Sequence, residues 1–517
     1  MPATLPVALR AQAEIEIRKR TQASGGMTPY DQFKVKYRDD PKGFALDCIR
    51  WKEGESLAAY QLEMMEQLPV KKRVSLRGPH GLGKTADAAI IILWFALTRD
   101  GEDWKIPTTA SAWRQLTKFL WPEVHKWYRR LKWDLIGRLP FNERVELQDY
   151  SLKLASGEAF ALASDNAAAL EGAHADHLLY IFDEAKTIPP ETWDAAEGAF
   201  STPGEVLALA ISTPGEPSGR FYQIHKREAG YVDWWVRHVT TEEAIDAGRV
   251  SPVWAEARRL QWGEQSAVYQ NRVAGEFAAS DEDGIIPLAW VERAVQRWQE
   301  INDANGFGDI TRLGADIGRG GDPSVIARRH GWAIKEFEEI TERDVMGVTG
   351  RINGIMQAHP KIQTVVDVVG IGAGVVDRLR EVRKLYGRVL AFNAAGASEE
   401  KDKTKELGFI NCRAEAWWTV RELLQDDMIA LPPEDLLIGD LTAPKWHVQS
   451  GGKIQVEKKE DVRERLGRST DYGDAVIMAF WKKTGGASMD EIEKWGQEID
   501  ESEIPPDLLA YMKGSQP

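Results

Sequence analysis

Short apolar runs of strand length alternate with longer stretches of helical period along most of this chain. Runs at 74–76, 105–109, 151–154, 178–182 and 206–211 read as strands, separated by helical patterns, which is the signature of an α/β domain. The run 88–97 is apolar on every side and predicts a buried helix; Arg99-Asp100 ends it far short of the roughly 18 apolar residues a membrane span needs. A Trp-rich, charged stretch over 242–279 looks helical, and Ser280-Asp281-Glu282-Asp283-Gly284 reads as a linker. A second α/β pattern runs over 313–483. The expected organisation is a helical arm over 1–27, an α/β domain with connecting helices over 28–279, and a linker over 280–312. A second α/β domain over 313–484 and an acidic tail over 485–517 follow.

Composition narrows the class. A length of 517 residues allows two to four domains at about 150 residues each. A chain 43% hydrophobic and 28% charged is neither disordered nor fibrous. Arg10, Glu14, Glu16 and Arg18 stand where a signal peptide would have its apolar stretch, so secretion is not expected. Cys48 and Cys412 alone make neither a disulfide framework nor a four-ligand zinc site, which fits a reducing cytoplasm. The net charge of -14 argues against non-specific coating of nucleic acid. Acids are concentrated in the tail, however, so any polyanion would be met by local basic clusters.

One segment carries phosphate chemistry. Gly78-Pro79-His80-Gly81-Leu82-Gly83-Lys84-Thr85 fits G-x-x-x-x-G-K-[ST], after a short strand and before the apolar helix. Gly78, Gly81 and Gly83 let backbone N–H groups close around phosphates, and the helix N-terminus adds its positive end. Lys84 would neutralise the β- and γ-phosphates of ATP, and Thr85 would ligate Mg²⁺. The strand over 178–182 ends in Asp183-Glu184; Asp183 would hold the Mg²⁺ and Glu184 orient or deprotonate a water. Ser212 and Thr213 end the next strand, where hydroxyls could sense the γ-phosphate. Gln61 could read the adenine edge or be a plain surface residue on its helix. Arg77 is the arginine nearest the phosphates and a candidate charge stabiliser, a role that a neighbouring subunit could fill instead.

A second set is acidic. Asp316 lies on a short strand, Asp322 follows a Gly320-Gly321 turn, Asp367 ends another strand, and Asp471 and Asp474 lie one turn apart at a helix start. Acids from separated elements can converge on two Mg²⁺ about 4 Å apart, as phosphodiester hydrolysis requires. Asp471 also suits a helix N-cap and Asp322 a turn, whereas acids on buried strands need a partner or a metal. Basic clusters that could meet a polynucleotide are 126–133, interleaved with aromatics; Arg378, Arg380, Arg383, Lys384 and Arg388; and Lys458, Lys459, Arg463, Arg465 and Arg468. Each is equally a solvated helix face.

With these residues in place the chain resembles the large terminase subunit of tailed double-stranded DNA bacteriophages. The resemblance covers about 28–483 and rests on Tyr60-Gln61, Arg77 to Thr85, Thr108-Thr109-Ala110 with Trp113, and Gly172-Ala173-His174-Ala175. It continues through Phe182-Asp183-Glu184-Ala185, Ser212-Thr213-Pro214, Gly275-Glu276-Phe277, Ala315-Asp316-Ile317-Gly318 with Asp322, Val366-Asp367, Arg413-Ala414-Glu415 and the stretch 471–475. It implies a P-loop ATPase domain with a mostly parallel sheet, followed by a ribonuclease-H-like nuclease domain. The implied activity is ATP-driven translocation of double-stranded DNA into a procapsid, with cleavage of concatemeric DNA by an endonuclease using Mg²⁺ or Mn²⁺. By that resemblance Lys84, Thr85 and Asp183 bind phosphate and Mg²⁺, Glu184 activates water, and Ser212 and Thr213 couple hydrolysis to movement. Asp316, Asp367 and the Asp471/Asp474 pair would be nuclease ligands. Implied partners are the portal protein, a small terminase subunit and further copies of the chain in a ring, in the cytoplasm of an infected bacterium and transiently on the procapsid, with no membrane. The other readings are an ATP-driven translocase or helicase-like protein whose second domain binds DNA without cutting, and a nucleotide-gated scaffold.

Overall fold

A computed structural model describes residues 27–163, 170–201, 204–279, 283–318, 322–341, 344–382, 384–449 and 451–481. The tail expected over 485–517, the arm up to residue 26, and Arg383 lie outside them. The described residues form two compact units: one holds those up to Phe307 with Leu424–His447 and Val456–Gly473, the other those of Gly308–Leu423, Val448–Gln455 and Asp474 to Trp481.

The first unit is built on an eight-stranded sheet of β1 (Arg73–Arg77), β2 (Trp104–Ala110), β3 (Leu147–Gln148), β4 (Ser151–Lys153), β5 (Gly157–Ala163), β6 (His177–Asp183), β7 (Glu205–Ser212) and β8 (Trp235–His238), in the order β3-β4-β5-β2-β6-β7-β1-β8. From β5 to β8 every pairing is parallel; only the β3-β4-β5 edge is antiparallel. All five strands expected here are present. β3, β5 and β8 were not foreseen: β3 has only two residues, and the burial of β5 and β8 is too mixed to leave an apolar run.

The helix Lys84–Arg99 is buried along nearly its whole length, which is why its sequence is apolar on all faces. It ends in a buried arginine. Arg99 bonds Glu205 through Nε at 3.0 Å and lies 4.7 Å from the centres of both the Trp94 and Phe95 rings, so its charge is paired rather than stranded. The stretch expected as a linker over 280–312 instead carries the 16-residue helix Leu288–Asp303, whose buried Leu288, Val291 and Ala294 give it an ordinary packed face. Among the described residues no helix is long and apolar enough to cross a membrane.

The second unit has a five-stranded mixed sheet of β9 (Arg312–Asp316), β10 (Ser324–His330), β11 (Ala333–Ile340), β12 (Gln363–Asp367) and β13 (Val389–Phe392), ordered β11-β10-β9-β12-β13. β9, β10 and β11 form an antiparallel meander, while β12 pairs in parallel with both β9 and β13. This three-strand meander followed by parallel crossovers is the ribonuclease-H-like arrangement that the family resemblance implied. Its core joins Leu313, Ala315, Ile326 and Val366 to Ile352 and Met356 of one helix and Val375 and Leu379 of another. The last helix, Asp471–Phe480, crosses β9 closely: a Cβ on Gly314 would lie 2.1 Å from the Ala475 carbonyl oxygen and 2.5 Å from the Ala479 nitrogen. Gly314→Val is therefore expected to destabilise the second unit by about 1–3 kcal/mol or more, seen as a lower thermal midpoint and faster limited proteolysis.

Candidate functional site

Parallel strands put their C-terminal ends on one edge of the sheet, and β1, β7 and β6 lie side by side there. The phosphate loop leaves β1, Ser212 ends β7 and Asp183 ends β6, so three motifs far apart in sequence share one rim. Gly81 and Gly83 have φ of +85° and +83°, the left-handed region that lets the loop turn tightly before the helix begins at Lys84. The Tyr60 hydroxyl donates to the Leu82 carbonyl at 2.9 Å and steadies the loop from outside. Lys84 is buried, with Nζ donating to the Pro79 carbonyl at 2.9 Å, so its ammonium lies folded over its own loop.

The acids meet the loop directly. The Thr85 side chain is among the groups that favour the ionised Asp183 carboxylate, and Asp183 Oδ1 accepts the Glu184 backbone N–H at 3.1 Å. Glu184 has φ of +48°, a conformation that costs a non-glycine residue about 1–3 kcal/mol. The strained turn brings its carboxylate to β7, where the single Ser212 Oγ–H is shared between the Thr213 carbonyl at 2.7 Å and Glu184 Oε2 at 3.2 Å. Burial, and then the neighbouring Glu184, push the Asp183 carboxyl well above the usual carboxylate range. Burial lowers Lys84, against the opposing pull of Glu184 and Asp183. Two crowded acids beside a threonine hydroxyl are relieved when a divalent cation binds among them, and that donor set suits Mg²⁺.

Two expected residues have different partners. Gln61 is buried and both ends of its amide are engaged: Nε2 donates to Asp87 at 2.7 Å, and Oε1 accepts the Ala58 N–H at 2.8 Å and Arg249 Nη2 at 3.1 Å. It braces the helix that follows the loop instead of presenting an edge to adenine. Arg77 bonds the Gly275 carbonyl, pairs with Glu276 Oε2 at 2.7 Å and lies 5.1 Å from the Phe277 ring centre. Its guanidinium fastens residues 275–277 rather than facing the phosphates.

That fastening reveals residues the sequence reading missed. The wide helical turn Gln270–Ala274 and the residues after it lie across the phosphate loop like a strap. His80 N–H donates to the Arg272 carbonyl at 3.0 Å, and Asn271 Nδ2 donates to the carbonyls of Gly215 and Glu276 at 3.0 and 2.9 Å. Gly275 has φ of +68°, and a Cβ there would lie 2.7 Å from Gly78 Cα. Behind the strap, Lys186 Nζ sits 3.1 Å from both Glu292 oxygens, and Arg272 Nη2 reaches Glu292 at 3.5 Å. The signals were present in the sequence: Lys186 is two residues past Glu184, and Arg272 three before Gly275. Arg272 was absorbed into the stretch 242–279, read as charged helix, and Lys186 was passed over beside Glu184. Gly275→Ala is expected to lift the strap off the loop, at a cost of about 1–3 kcal/mol. Titration with an ATP analogue should then show weakened nucleotide binding, while far-UV dichroism shows the fold retained.

The second acidic set is only partly brought together. Val366 pairs with Ala315 in parallel register, so Asp316 and Asp367 stand at the same end of adjacent strands. Asp367 Oδ1 accepts the Val369 N–H at 2.9 Å, and Asp474 accepts Arg413 Nη1 at 2.6 Å, a buried ion pair. Arg413 keeps two further buried nitrogens, Nε and Nη2, without a hydrogen-bond partner. Asp471, in the first unit, is 3.3 Å from Lys459 Nζ. Among the described residues no group of three or more His, Cys, Asp or Glu side chains is arranged to hold a metal ion. Asp440, which the sequence reading missed, accepts the N–H groups of Tyr472 and Gly473 at 3.0 and 3.1 Å and pairs with Arg468, so it caps the helix Asp471–Phe480 with buried negative charge.

Several bases offered for polynucleotide binding are engaged within the protein. In 126–133, Trp127 and Tyr128 are buried, and Lys126, Arg129 and Arg130 pair with Glu123, Glu143 and Glu55. The interleaved aromatics are therefore packing, not a stacking platform. Arg380 and Arg388 donate to backbone carbonyls, Arg378 pairs with Glu381, and Arg465 and Arg468 pair with Glu457 and Asp440.

No family model matches the chain. A curated relative, "Probable terminase, large subunit" of Enterobacteria phage P7, is 28% identical over 335 residues, covering 61% of this chain. The match spans 65% of that relative's length. Among solved structures, the nuclease domain of the large terminase subunit of bacterial virus Sf6 aligns with 39% of this chain and 99% of its own, at 20% identity and a TM-score of 0.33. The large terminase of a thermophilic bacteriophage aligns with 82% of this chain and 98% of its own, at 13% identity and a TM-score of 0.39. Its complex with ATP-gamma-S gives 82%, 98%, 13% and 0.38. In sequence, then, this chain is similar over about three-fifths of its length to a bacteriophage protein named as a terminase large subunit.

Proposed function

We propose that this chain is the motor subunit of a viral DNA-packaging machine. It hydrolyses ATP to move double-stranded DNA into a procapsid and cleaves concatemeric DNA with its second unit. The observation that carries the reading is the convergence of Thr85, Asp183, Glu184 and Ser212 at the phosphate loop. The sequence match to a phage terminase large subunit supports it. In this reading Lys84 unfolds from Pro79 to meet the β- and γ-phosphates, and the Gly78, Gly81 and Gly83 backbone closes around them. Glu184, held toward Ser212 by its left-handed backbone, accepts a proton from the attacking water. Ser212 and Thr213 then carry the change at Glu184 into β7. Mg²⁺ held by Thr85 and Asp183 would neutralise the phosphate oxygens. The portal protein, a small terminase subunit, and further copies in a ring are the proposed partners, and the cytoplasm of the infected bacterium the proposed site of action.

Cleavage is assigned to Asp316, Asp367 and Asp474 in the second unit, with Mg²⁺ or Mn²⁺ as the proposed ion and Asp471 as a further candidate ligand. The Arg413–Asp474 ion pair favours a second reading, in which this unit binds DNA without cutting, because a guanidinium already neutralises the acid a metal would use.

Glu184→Gln is expected to keep ATP affinity and slow hydrolysis by about 100-fold or more, whereas Lys84→Ala should lose both, as measured by steady-state hydrolysis and nucleotide titration. In a plasmid cleavage assay with Mg²⁺ or Mn²⁺, Asp316→Asn should abolish cutting and leave ATP hydrolysis unchanged. Wild-type protein that hydrolyses ATP but never cuts would establish the non-cutting reading instead.

A further inference from the structure

The strap carries an arginine that its surroundings leave underused. Arg272 is fixed beside the phosphate loop by its own backbone, since its carbonyl accepts the His80 N–H at 3.0 Å and Gly275 crosses Gly78 three residues later. Its side chain is poorly bonded by comparison. Nη2 reaches Glu292 at 3.5 Å, the outer limit of a hydrogen bond, and Nε is buried with no partner. A buried donor left unmade costs about 1–3 kcal/mol, so this position needs a reason beyond Glu292. Glu292 is already served by Lys186, whose Nζ is 3.1 Å from both carboxylate oxygens. Burial alone would raise the Glu292 carboxyl; Lys186 and then Arg272 outweigh it and hold it below the usual range.

The local charge points the same way. Arg272, Lys84 and Lys186 all bring positive charge toward the exposed His80 of the phosphate loop. Three basic side chains therefore lie near one loop. Of the nearby acids, Glu292 has Lys186, and Asp183 and Glu184 are engaged with Thr85 and Ser212. A cavity of about 110 Å³ lies beside Lys186 and Glu292.

We propose that Arg272 is the arginine that contacts the terminal phosphate of bound ATP, from within the same chain, with Glu292 as its counter-ion when no nucleotide is bound. A guanidinium offers a planar fork of donors matched to phosphate oxygens; Arg77 is committed to Glu276, and Arg249, also beside the loop, to the Ser56 carbonyl and Gln61. On arrival of the γ-phosphate, Arg272 exchanges a single long contact for charge-assisted ones, and Lys186 keeps Glu292 neutralised. The helix Leu288–Asp303, which carries Glu292, thereby loses one of its two ties to the nucleotide site when ATP is bound.

The inference rests on the ATP reading, and the experiment separates the two. ATPγS and ADP affinities and the kcat of hydrolysis are measured on the full chain with Mg²⁺ for wild type, Arg272→Gln, Arg272→Lys and Lys84→Ala, with thermal unfolding as a fold check. Arg272→Gln should leave ADP affinity within about twofold, weaken ATPγS, and lower kcat by about 1,000-fold, the low end for such an arginine. Arg272→Lys should recover ATPγS affinity more than kcat, because it restores charge without the fork. An unchanged ATPγS-to-ADP ratio with unchanged kcat in Arg272→Gln overturns the proposal, as does an equal loss for both nucleotides, which marks a structural role. Wild type that binds neither nucleotide overturns the ATP reading itself, and this proposal with it.

Discussion

The cost of burying charge organises the nucleotide edge of the first unit. Lys84 and Asp183 are buried close to the half-buried Glu184 beyond the ends of β1 and β6, so the two buried charges need partners in place of water. Each is held by a specific device: Lys84 by the Pro79 carbonyl, Asp183 by Thr85 and the Glu184 N–H, and Glu184 by a strained backbone and Ser212. The eight-stranded sheet matters because parallel order brings these ends to one rim, with β7 lying between the loop strand and the acid strand. The strap matters because Arg77, Asn271 and Gly275 close the loop from outside. Remove the buried charges and the rest of the rim has no reason for its shape.

The second unit solves a different problem with the same economy of side chains. Gly314 allows the helix Asp471–Phe480 to lie almost on the backbone of β9. Within the first unit, Asp440 accepts the N–H groups of Tyr472 and Gly473. Within the second unit, register sets Asp316 beside Asp367, and Arg413 holds Asp474. A guanidinium thus already neutralises the Asp474 carboxylate.

Much of this was legible before any coordinates. Strands over 74–76, 178–182 and 206–211 announced themselves because strands covered on both faces are apolar runs, and the loop because its glycines and Lys84-Thr85 are a local pattern. What escaped was non-local. β5 is half exposed and gives no run, and the role of Gln61 depends on Asp87 and Arg249, which meet it only in the fold. Arg77 was nearest in sequence to the phosphates, yet Glu276, 199 residues away, takes its guanidinium. Aromatics interleaved with bases at 126–133 suggested stacking until burial of Trp127 and Tyr128 showed them to be packing. Arg272 and Glu292 carry no motif; only their joint approach to Lys186 and His80 makes them visible.

The central claim is that the rim formed by Thr85, Asp183 and Lys84 is a metal-dependent triphosphate site. Calorimetric titration of ATPγS into the full chain, once with Mg²⁺ and once with EDTA, tests it most directly. The account predicts saturable binding with Mg²⁺ that weakens by about tenfold or more, about 1.4 kcal/mol, when the metal is chelated. Binding of equal strength in both conditions, or none in either, would contradict it.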